Sequence, residues 1–162
     1  MSKLLSPFVL VPQQNVMMCE RFGKFTRVMQ PGLQFKWPLI EFIAYRHSLK
    51  EQVLGIESQT AITKDNVKIK IDGVLYFKIT DPIKASYEVA QPIHALSLLA
   101  QTSMRSEIGR LDLDRTFLER ESLNAHIKTA LNEASSKWGI ECMRYEIKDI
   151  KPPDEIKRSM EL

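Results

Sequence analysis

An alternation of apolar and polar residues over residues 66–80 constrains the fold of this chain more than any other feature. From Val67 to Ile79 every second residue is apolar except for one glycine, and most of the positions between them are polar or charged. A period of two places successive side chains on opposite faces of a β-strand. We therefore predict a strand with one buried and one hydrated face, in a sheet that covers a core on one side. Such a sheet indicates a domain that presents surfaces rather than one that encloses a substrate.

The overall composition is that of an ordinary globular protein. The 162 residues are 44% hydrophobic and 27% charged, which suits one domain or two small lobes. A net charge of +3 is too small to indicate binding to nucleic acid. Two cysteines, Cys19 and Cys142, cannot form a disulfide framework or a cysteine-only metal site. No run of residues approaches the ~20 apolar residues that span a bilayer.

Residues 1–56 are predicted to form a strand-rich lobe. Residues 8–11 suit a short strand, and residues 16–29 suit a second strand that bends at Gly23. Pro31 and Gly32 fit the central positions of a type II turn, which folds residues 33–37 back on the preceding strand. Residues 43–49 and 51–56 are predicted to continue this first sheet.

Residues 57–151 are predicted to form a second lobe in which strands alternate with helices. Residues 59–63 and 67–79 read as a hairpin. Proline at the first helical position predicts helices that begin at Pro82 and Pro92, and Gly139 is a C-terminal stop for a later long helix. Asp114 is expected to cap the turn between the two long helices. A final strand over residues 143–150 is expected to place Met143 on the same face as Tyr145 and Ile147.

Residues 152–162 are predicted to begin a longer helix. Ile156 and Met160 lie four residues apart, so they would share one face of that helix. Two helical turns are too few to be stable alone in water. We therefore expect the start of a C-terminal coiled coil, with Ile156 and Met160 contributing to oligomerisation.

Catalytic and nucleotide-binding motifs have weak support. Residues 112–116 spell DxDxT, a phosphatase pattern that needs its first aspartate at the end of a buried parallel strand beside Mg²⁺. Here the pattern follows a predicted helix, so helix capping is the favoured explanation. Residues 21–25 (RFGKF) faintly resemble an RNA-binding strand, but core packing of Phe22 and Phe25 is favoured. The histidines lack ligand spacing, so no metal, no cofactor and no catalytic site is predicted.

Residues 33–45 (LQFKWPLIEFIAY) concentrate aromatic and aliphatic side chains in a short irregular run. Tryptophan and tyrosine favour the bilayer interface, and nearby cations can meet anionic headgroups at ~1 kcal/mol each. The alternative is that these side chains fill the core of the first lobe, and both remain open. The predicted membrane-interface residues are Arg21, Lys24, Phe35, Lys36, Trp37, Leu39, Ile40 and Phe42.

The polar face of the central strand is a candidate docking surface for partner proteins. Lys68, Lys70 and Lys78 share that face. Most charged sheet faces are simply hydrated, and this explanation stays open beside the partner-binding one.

Several segments in order resemble the stomatin family, a branch of the SPFH (prohibitin-homology, band 7) superfamily. They are most similar to the mitochondrial stomatin-like group and its bacterial paraslipin relatives. The carrying segments are residues 11–14 (VPQQ), 20–25 (ERFGKF), 31–33 (PGL), 64–87 (KDNVKIKIDGVLYFKITDPIKASY), 99–111 (LAQTSMRSEIGRL), 119–124 (ERESLN) and 138–153 (WGIECMRYEIKDIKPP).

The resemblance implies an α+β domain with two sublobes, followed by a long coiled-coil helix. It implies a non-enzymatic, membrane-associated scaffold that homo-oligomerises and organises lipids and partner membrane proteins. The alternative is a regulator that docks and controls a membrane protease or another client. The expected location is the mitochondrial inner membrane in a eukaryote, or the cytoplasmic face of the plasma membrane in a bacterium.

Overall fold

The structure is a computed structural model that describes residues 5–151, and its strands and helices make an α+β fold, as expected. The strands are β1 (Phe8–Val11), β2 (Asn15–Arg21), β3 (Lys24–Met29), β4 (Gly32–Phe35), β5 (Glu41–Ser48), β6 (Gln52–Ile62), β7 (Lys68–Ile79) and β8 (Ile140–Lys151). The helices described in full are α1 (Pro82–Tyr87), α2 (Pro92–Ile108), α3 (Leu113–Leu118) and α4 (Arg120–Ser135), and a 3₁₀ turn over Ser136–Trp138 follows α4. The predicted C-terminal helix with Ile156 and Met160 lies outside the described residues.

The C-terminal lobe is an antiparallel sheet of order β6-β7-β8 with helices packed on one face. The alternation in β7 is confirmed, because its odd-numbered residues are buried and Lys68 and Lys70 are exposed. Helices α2 and α4 cover the buried face and contribute one side of each helix to the core. The largest fully buried side chains of this core are Ile69, Ile71, Leu75, Phe77, Leu96, Met104, Ile108, Leu123, Ile127 and Tyr145.

Strand β6 belongs to this second sheet over its whole length. Its register with β7 runs from Gln52 opposite Phe77 to Ile62 opposite Lys68. The prediction that residues 51–56 continue the first sheet is therefore wrong. Ile56 is buried in the C-terminal core, so burial of its side chain sets the pairing of the strand.

The N-terminal lobe contains a sheet of order β3-β2-β5 and a separate ribbon of β1 and β4. The single bent strand predicted over residues 16–29 is instead a hairpin, because Gly23 adopts a φ of 81° and reverses the chain between β2 and β3. Residues 33–37 do not fold back on β3, since β4 pairs with β1. That pairing aligns apolar residues across the ribbon, which local turn chemistry does not reveal.

Two β-bulges change the face presented by residues in β8. The register with β7 shifts between Tyr76 and Phe77 and again between Asp72 and Gly73. The first shift turns Met143 out of the core, and its side chain is 39% exposed while Cys142 and Tyr145 are buried. The expectation that Met143 shares a face with Tyr145 is therefore wrong, because one extra residue in a strand inverts the alternation.

The predicted helix ends are mostly confirmed. Helices α1 and α2 begin at their prolines, and Asp81 Oδ1 accepts a hydrogen bond from Ile83 N at 3.1 Å. Asp114 does not cap α3, because it lies in the first turn, and Asp65 Oδ1 accepts from Leu113 N at 3.3 Å. Gly139 stops the helical segment with a φ of 69°.

A polar and aromatic joint connects the two lobes. Tyr87 donates a hydrogen bond to Glu20 Oε2 at 2.6 Å, and its ring packs edge-to-face on Phe25 and Tyr45. His47 Nε2 and Ser86 Oγ are 2.7 Å apart. Because Ser86 Oγ donates to Pro82 O, it accepts from His47, and burial lowers the pKa of His47 and favours its neutral form.

Candidate functional site

The ribbon of β1 and β4 carries a ladder of apolar side chains on one face. Phe8 lies opposite Phe35, and Leu10 lies opposite Leu33. All four side chains are exposed, whereas Val11 on the other face is buried in the small N-terminal core. Exposed apolar side chains that lie side by side make this face a candidate interaction surface.

Aromatic contacts extend this ladder into the turn after β4. The ring centroids of Phe8 and Phe35 are 6.1 Å apart, and those of Phe35 and Trp37 are 5.3 Å apart. Both pairs are edge-to-face, a favoured geometry for aromatic rings. The indole of Trp37 is therefore exposed but held in place by its neighbours.

Two further apolar side chains project from adjacent tight turns at one end of the lobe. Phe22 is 79% exposed with a φ of 53°, and Leu39 is 69% exposed with a φ of 67°. Phe22 N donates to Ile40 O at 3.2 Å, which ties the β2–β3 turn to the β4–β5 turn. Bulky residues rarely adopt positive φ, and such conformations concentrate at functional sites. We call Phe22, Trp37, Leu39 and the four-residue ladder the apolar surface.

A buried carboxylate beneath this surface anchors the turns. Glu41 is fully buried, and it accepts hydrogen bonds from Trp37 N at 2.9 Å and from Arg27 at 2.7 Å. Arg21 lies 3.6 Å from the same carboxylate, and Cys19 donates from Sγ at 3.5 Å. Burial by itself raises the pKa of Glu41, but the hydrogen bonds from Trp37 and Arg27 outweigh it, so the pKa is lowered. The charged form of Glu41 therefore holds the Trp37 turn against β2 and β3.

The predicted cations have different environments. Lys24 and Arg21 are exposed at the same end of the lobe as Phe22, so both can face an anionic surface. Lys36 is 3% exposed, which contradicts the expectation that it lies at the surface. Its position in the chain between exposed Phe35 and Trp37 makes it point inward, since side chains alternate along an extended segment.

A groove beside the ribbon connects the ladder to β5. It has a volume of about 350 Å³ and is lined by both ladder and β5 residues. Phe42 is exposed and belongs to this lining. The lining residues include Phe8, Leu10, Met17, Lys36, Phe42 and Arg46.

The structure thus brings together most of the predicted interface residues. Phe35, Trp37 and Leu39 lie on the apolar surface, Ile40 is half-buried behind it, and Phe42 lines the groove. The sequence analysis missed Phe8, Leu10, Leu33 and Phe22. The prediction that Phe22 packs in the core is wrong, and its position next to Gly23 in a tight turn is the signal in the sequence against core packing.

The lysines predicted to bind partners lie on the other lobe. Lys68 and Lys70 are exposed on the outer face of the C-terminal sheet, and Lys78 is half-buried opposite Glu141 on β8. In residues 5–151 no helix is long and apolar enough to cross a membrane. Within the same range, no group of three or more histidine, cysteine or acidic side chains is arranged to hold a metal ion.

Comparison with known proteins identifies the family. A family model described as SPFH domain / Band 7 family matches residues 9–162. The chain belongs to this family. It is 53% identical over 154 residues to human (Homo sapiens) "Stomatin-like protein 2, mitochondrial", which covers 95% of this chain and 43% of that protein.

Other SPFH relatives come from distant organisms. "Stomatin-like protein stl-1" of Caenorhabditis elegans is 49% identical over 152 residues, covering 94% of this chain and 47% of the relative. An uncharacterised protein of Methanothermobacter thermautotrophicus is 40% identical over 141 residues, covering 87% and 44%. The chain therefore spans less than half the length of each of these relatives.

Proposed function

We propose that this SPFH domain contacts a bilayer through the apolar surface of its N-terminal lobe and serves as part of a membrane scaffold. The observation that carries the proposal is the outward presentation of Phe22 and Leu39 from two strained, mutually bonded turns. Both side chains are largely exposed, so core packing does not explain the conformation. Transfer of such side chains from water into an apolar layer is favourable by about 1 to 2 kcal/mol each.

The arrangement of charges supports contact with anionic lipid. Arg21 and Lys24 lie beside the exposed Phe22, and each cation near an anionic surface contributes about 1 kcal/mol. Glu41 is buried and neutralised by Arg27 and Arg21, so its charge does not oppose that contact. Hydrophobic and electrostatic terms therefore act in the same direction.

Assembly and client binding complete the proposed function. Homo-oligomers would place many apolar surfaces on one bilayer, which raises avidity without new contacts. The proposed role is non-enzymatic, and Asp112 and Asp114, which suggested a phosphatase, are exposed around the start of α3. The alternative role, control of a membrane protease or other client, would use the outer face with Lys68, Lys70 and Lys78. The name of the human relative favours a mitochondrial membrane if the source is eukaryotic.

Vesicle co-sedimentation tests the membrane contact. The 162-residue protein is mixed with vesicles of phosphatidylcholine alone or with added phosphatidylserine. We expect binding to the anionic vesicles that weakens with salt, and a loss of about tenfold or more in affinity for the double variant Phe22→Asn, Leu39→Asn. Asparagine tolerates positive φ, so these substitutions relieve backbone strain and leave the fold intact.

A matched control removes an equally exposed leucine from the other lobe. Leu118 is 82% exposed at the end of α3, and Leu118→Asn is expected to bind vesicles like the wild type. Equal binding by the double variant and the wild type would contradict the proposed surface. An absence of binding by the wild type would contradict membrane contact by this chain altogether.

A further inference from the structure

The outer face of the C-terminal sheet carries two neighbouring rows of like charges. Lys70 on β7 is directly opposite Lys151 on β8, and two residues further along Asp72 is directly opposite Asp149. All four residues are on the face away from α2 and α4, and Lys70, Lys151 and Asp149 are exposed. The face therefore has a positive row beside a negative row, separated by about 7 Å along the strands.

This arrangement is unfavourable for an isolated chain. Like charges directly opposite each other on adjacent strands destabilise a sheet. Among the described residues, none of the four forms an ion pair or a side-chain hydrogen bond. The aspartates about 7 Å along each strand offset part of this repulsion but form no ion pair with the lysines, whereas a facing surface with the opposite order of charges would compensate both rows directly.

A second copy of this chain is such a surface. Consider two copies whose sheets face each other across a two-fold axis that lies between the sheets, parallel to them and perpendicular to the strands. If this axis passes midway between the two rows, it places the positive row of one copy over the negative row of the other. It places Lys70 of one copy opposite Asp72 of the other, and Lys151 opposite Asp149. A two-fold axis running along the strands would instead place lysine on lysine, so the charge pattern selects the first axis.

We propose that two copies of this chain associate through the outer faces of their C-terminal sheets about that axis. Isologous contacts of this kind pair each residue with a different residue of the same patch, which requires a self-complementary surface. The proposal deepens the self-assembly in the proposed function and rests on it, because it names the face that the copies share.

Apolar residues beside the charged rows fit the same axis. On β6, Ile62 lies opposite Lys68 and Gly55 lies opposite Val74. Lys68 and Val74 are equally far from the midpoint between the charged rows, so the same axis brings Ile62 of one copy over Gly55 of the other. Ile62 is exposed, and the space above Gly55 is open, with no atom within 4 Å of an added Cβ. Ile62 of one copy therefore occupies the space above Gly55 of the other.

The size of the face predicts a weak association. Three strands spaced about 4.8 Å apart and about ten residues long present about 450 Å² on each copy. The total of about 900 Å² lies at the lower limit for specific interfaces, where transient complexes are found. Such a contact would need avidity from a larger assembly, and it should respond strongly to salt.

Complementary charge reversals test the proposal in the 162-residue protein by sedimentation equilibrium at low salt. The all-positive variant Asp72→Lys, Asp149→Lys and the all-negative variant Lys70→Asp, Lys151→Asp should each lose self-association by about a hundredfold or more. An equimolar mixture should associate again, because each row then meets its opposite. Wild-type association should weaken as salt is added.

Two variants guard against misfolding. Asp72→Asn, Asp149→Asn removes the repulsion between the two aspartates without introducing new charge, so the fold should be retained while self-association falls. Gly55→Trp changes no charge and projects into open space, yet it fills the place of Ile62 and should also reduce association. The control Lys84→Glu, Lys137→Glu shifts net charge by the same amount and sign as Lys70→Asp, Lys151→Asp, at exposed sites in helical segments, and should associate like the wild type.

The outcomes separate this inference from the proposed function. Self-association that none of the face variants alters overturns the shared face and leaves assembly and membrane contact standing. A monomer at low salt and high protein concentration overturns the inference together with the proposed self-assembly, and leaves membrane contact to be decided by the vesicle experiment. Loss of vesicle binding in Phe22→Asn, Leu39→Asn with unchanged self-association supports the proposed function independently.

Discussion

The two lobes of this SPFH domain use apolar residues in opposite ways. In the C-terminal lobe, apolar side chains from three strands and two long helices form one large buried core. In the N-terminal lobe, the buried cluster described consists of Val11, Met17, Cys19 and Met29, while Phe8, Leu10 and other large apolar side chains are exposed. A lobe that exposes so much apolar surface needs another source of order, and the buried ion cluster at Glu41 supplies it.

A contact surface can therefore be kept rigid without a large core. Trp37 N and Arg27 both bind Glu41, so one carboxylate fixes two strands and the turn that presents the indole. Trp37 and Trp138 are the two tryptophans of the chain, one in each lobe. Single Trp→Phe variants therefore provide a separate fluorescence signal for each lobe.

The largest effect is expected from a cavity in the C-terminal core. Phe77 is fully buried near the C-terminal end of β7, so Phe77→Ala should lower the free energy of unfolding by about 3 to 5 kcal/mol. Urea denaturation followed by Trp138 fluorescence measures the loss. A matched truncation of exposed Phe8 to alanine should cost less than about 0.5 kcal/mol, and equal losses would contradict the contrast between the lobes.

A smaller effect is expected from the anchor of the N-terminal lobe. Glu41→Gln leaves Arg27 with a neutral partner and should cost about 2 kcal/mol, since Arg27 and Arg21 are partly exposed and screened. Trp37 fluorescence should report this loss. A variant as stable as the wild type by this signal would remove Glu41 from its anchoring role.

The same substitution should change the pH dependence. The folded-state pKa of Glu41 is below its ordinary value of 4.5, so its stabilising contribution is complete above that value. It is lost as the pH falls through the lowered pKa. The stability difference between wild type and Glu41→Gln should therefore shrink in acid.

The smallest effect is expected at the bulge in β8. Met143 is turned out of the core, so Met143→Ser should change stability by less than about 0.5 kcal/mol. Tyr145→Ser on the buried face should cost several-fold more, because it opens a cavity and removes the hydroxyl that donates to Met104 Sδ at 2.8 Å. Comparable losses in thermal denaturation would indicate that the strand lacks the bulge.

Much of the second lobe could be predicted because its signals are local. Alternation in β7, proline at the start of α1 and α2, and Gly139 after α4 each follow from the sterics of a few neighbouring residues. The errors concern pairing: residues 33–37 pair with β1, and residues 52–56 pair with β7. Which strands pair depends on contacts between residues that are far apart in the chain. A single sequence, read without an alignment, does not reveal those contacts.

The residues of the candidate site likewise fall into a group that could be predicted from local sequence and a group that could not. The concentration of aromatic residues at 33–45 is visible in the sequence, and it located Phe35, Trp37 and Leu39 on the apolar surface. The ladder partners Phe8 and Leu10 were missed, because β1 is apolar at every position and shows no period. Lys36 was misplaced because the alternation of β4 continues to Trp37, where Lys36 N donates to Pro7 O at 2.8 Å, and this pairing with a distant segment is not visible in the sequence.

Side-chain periodicity and local backbone sterics were enough to predict the one-sided central strand and the starts of α1 and α2, and the family resemblance implied the α+β class. The exposed apolar residues, the bulges that invert β8 and the like charges side by side on adjacent strands appear only once the chain is folded. These features depend on strand register, and register is set by the joint burial of residues that are far apart in the chain.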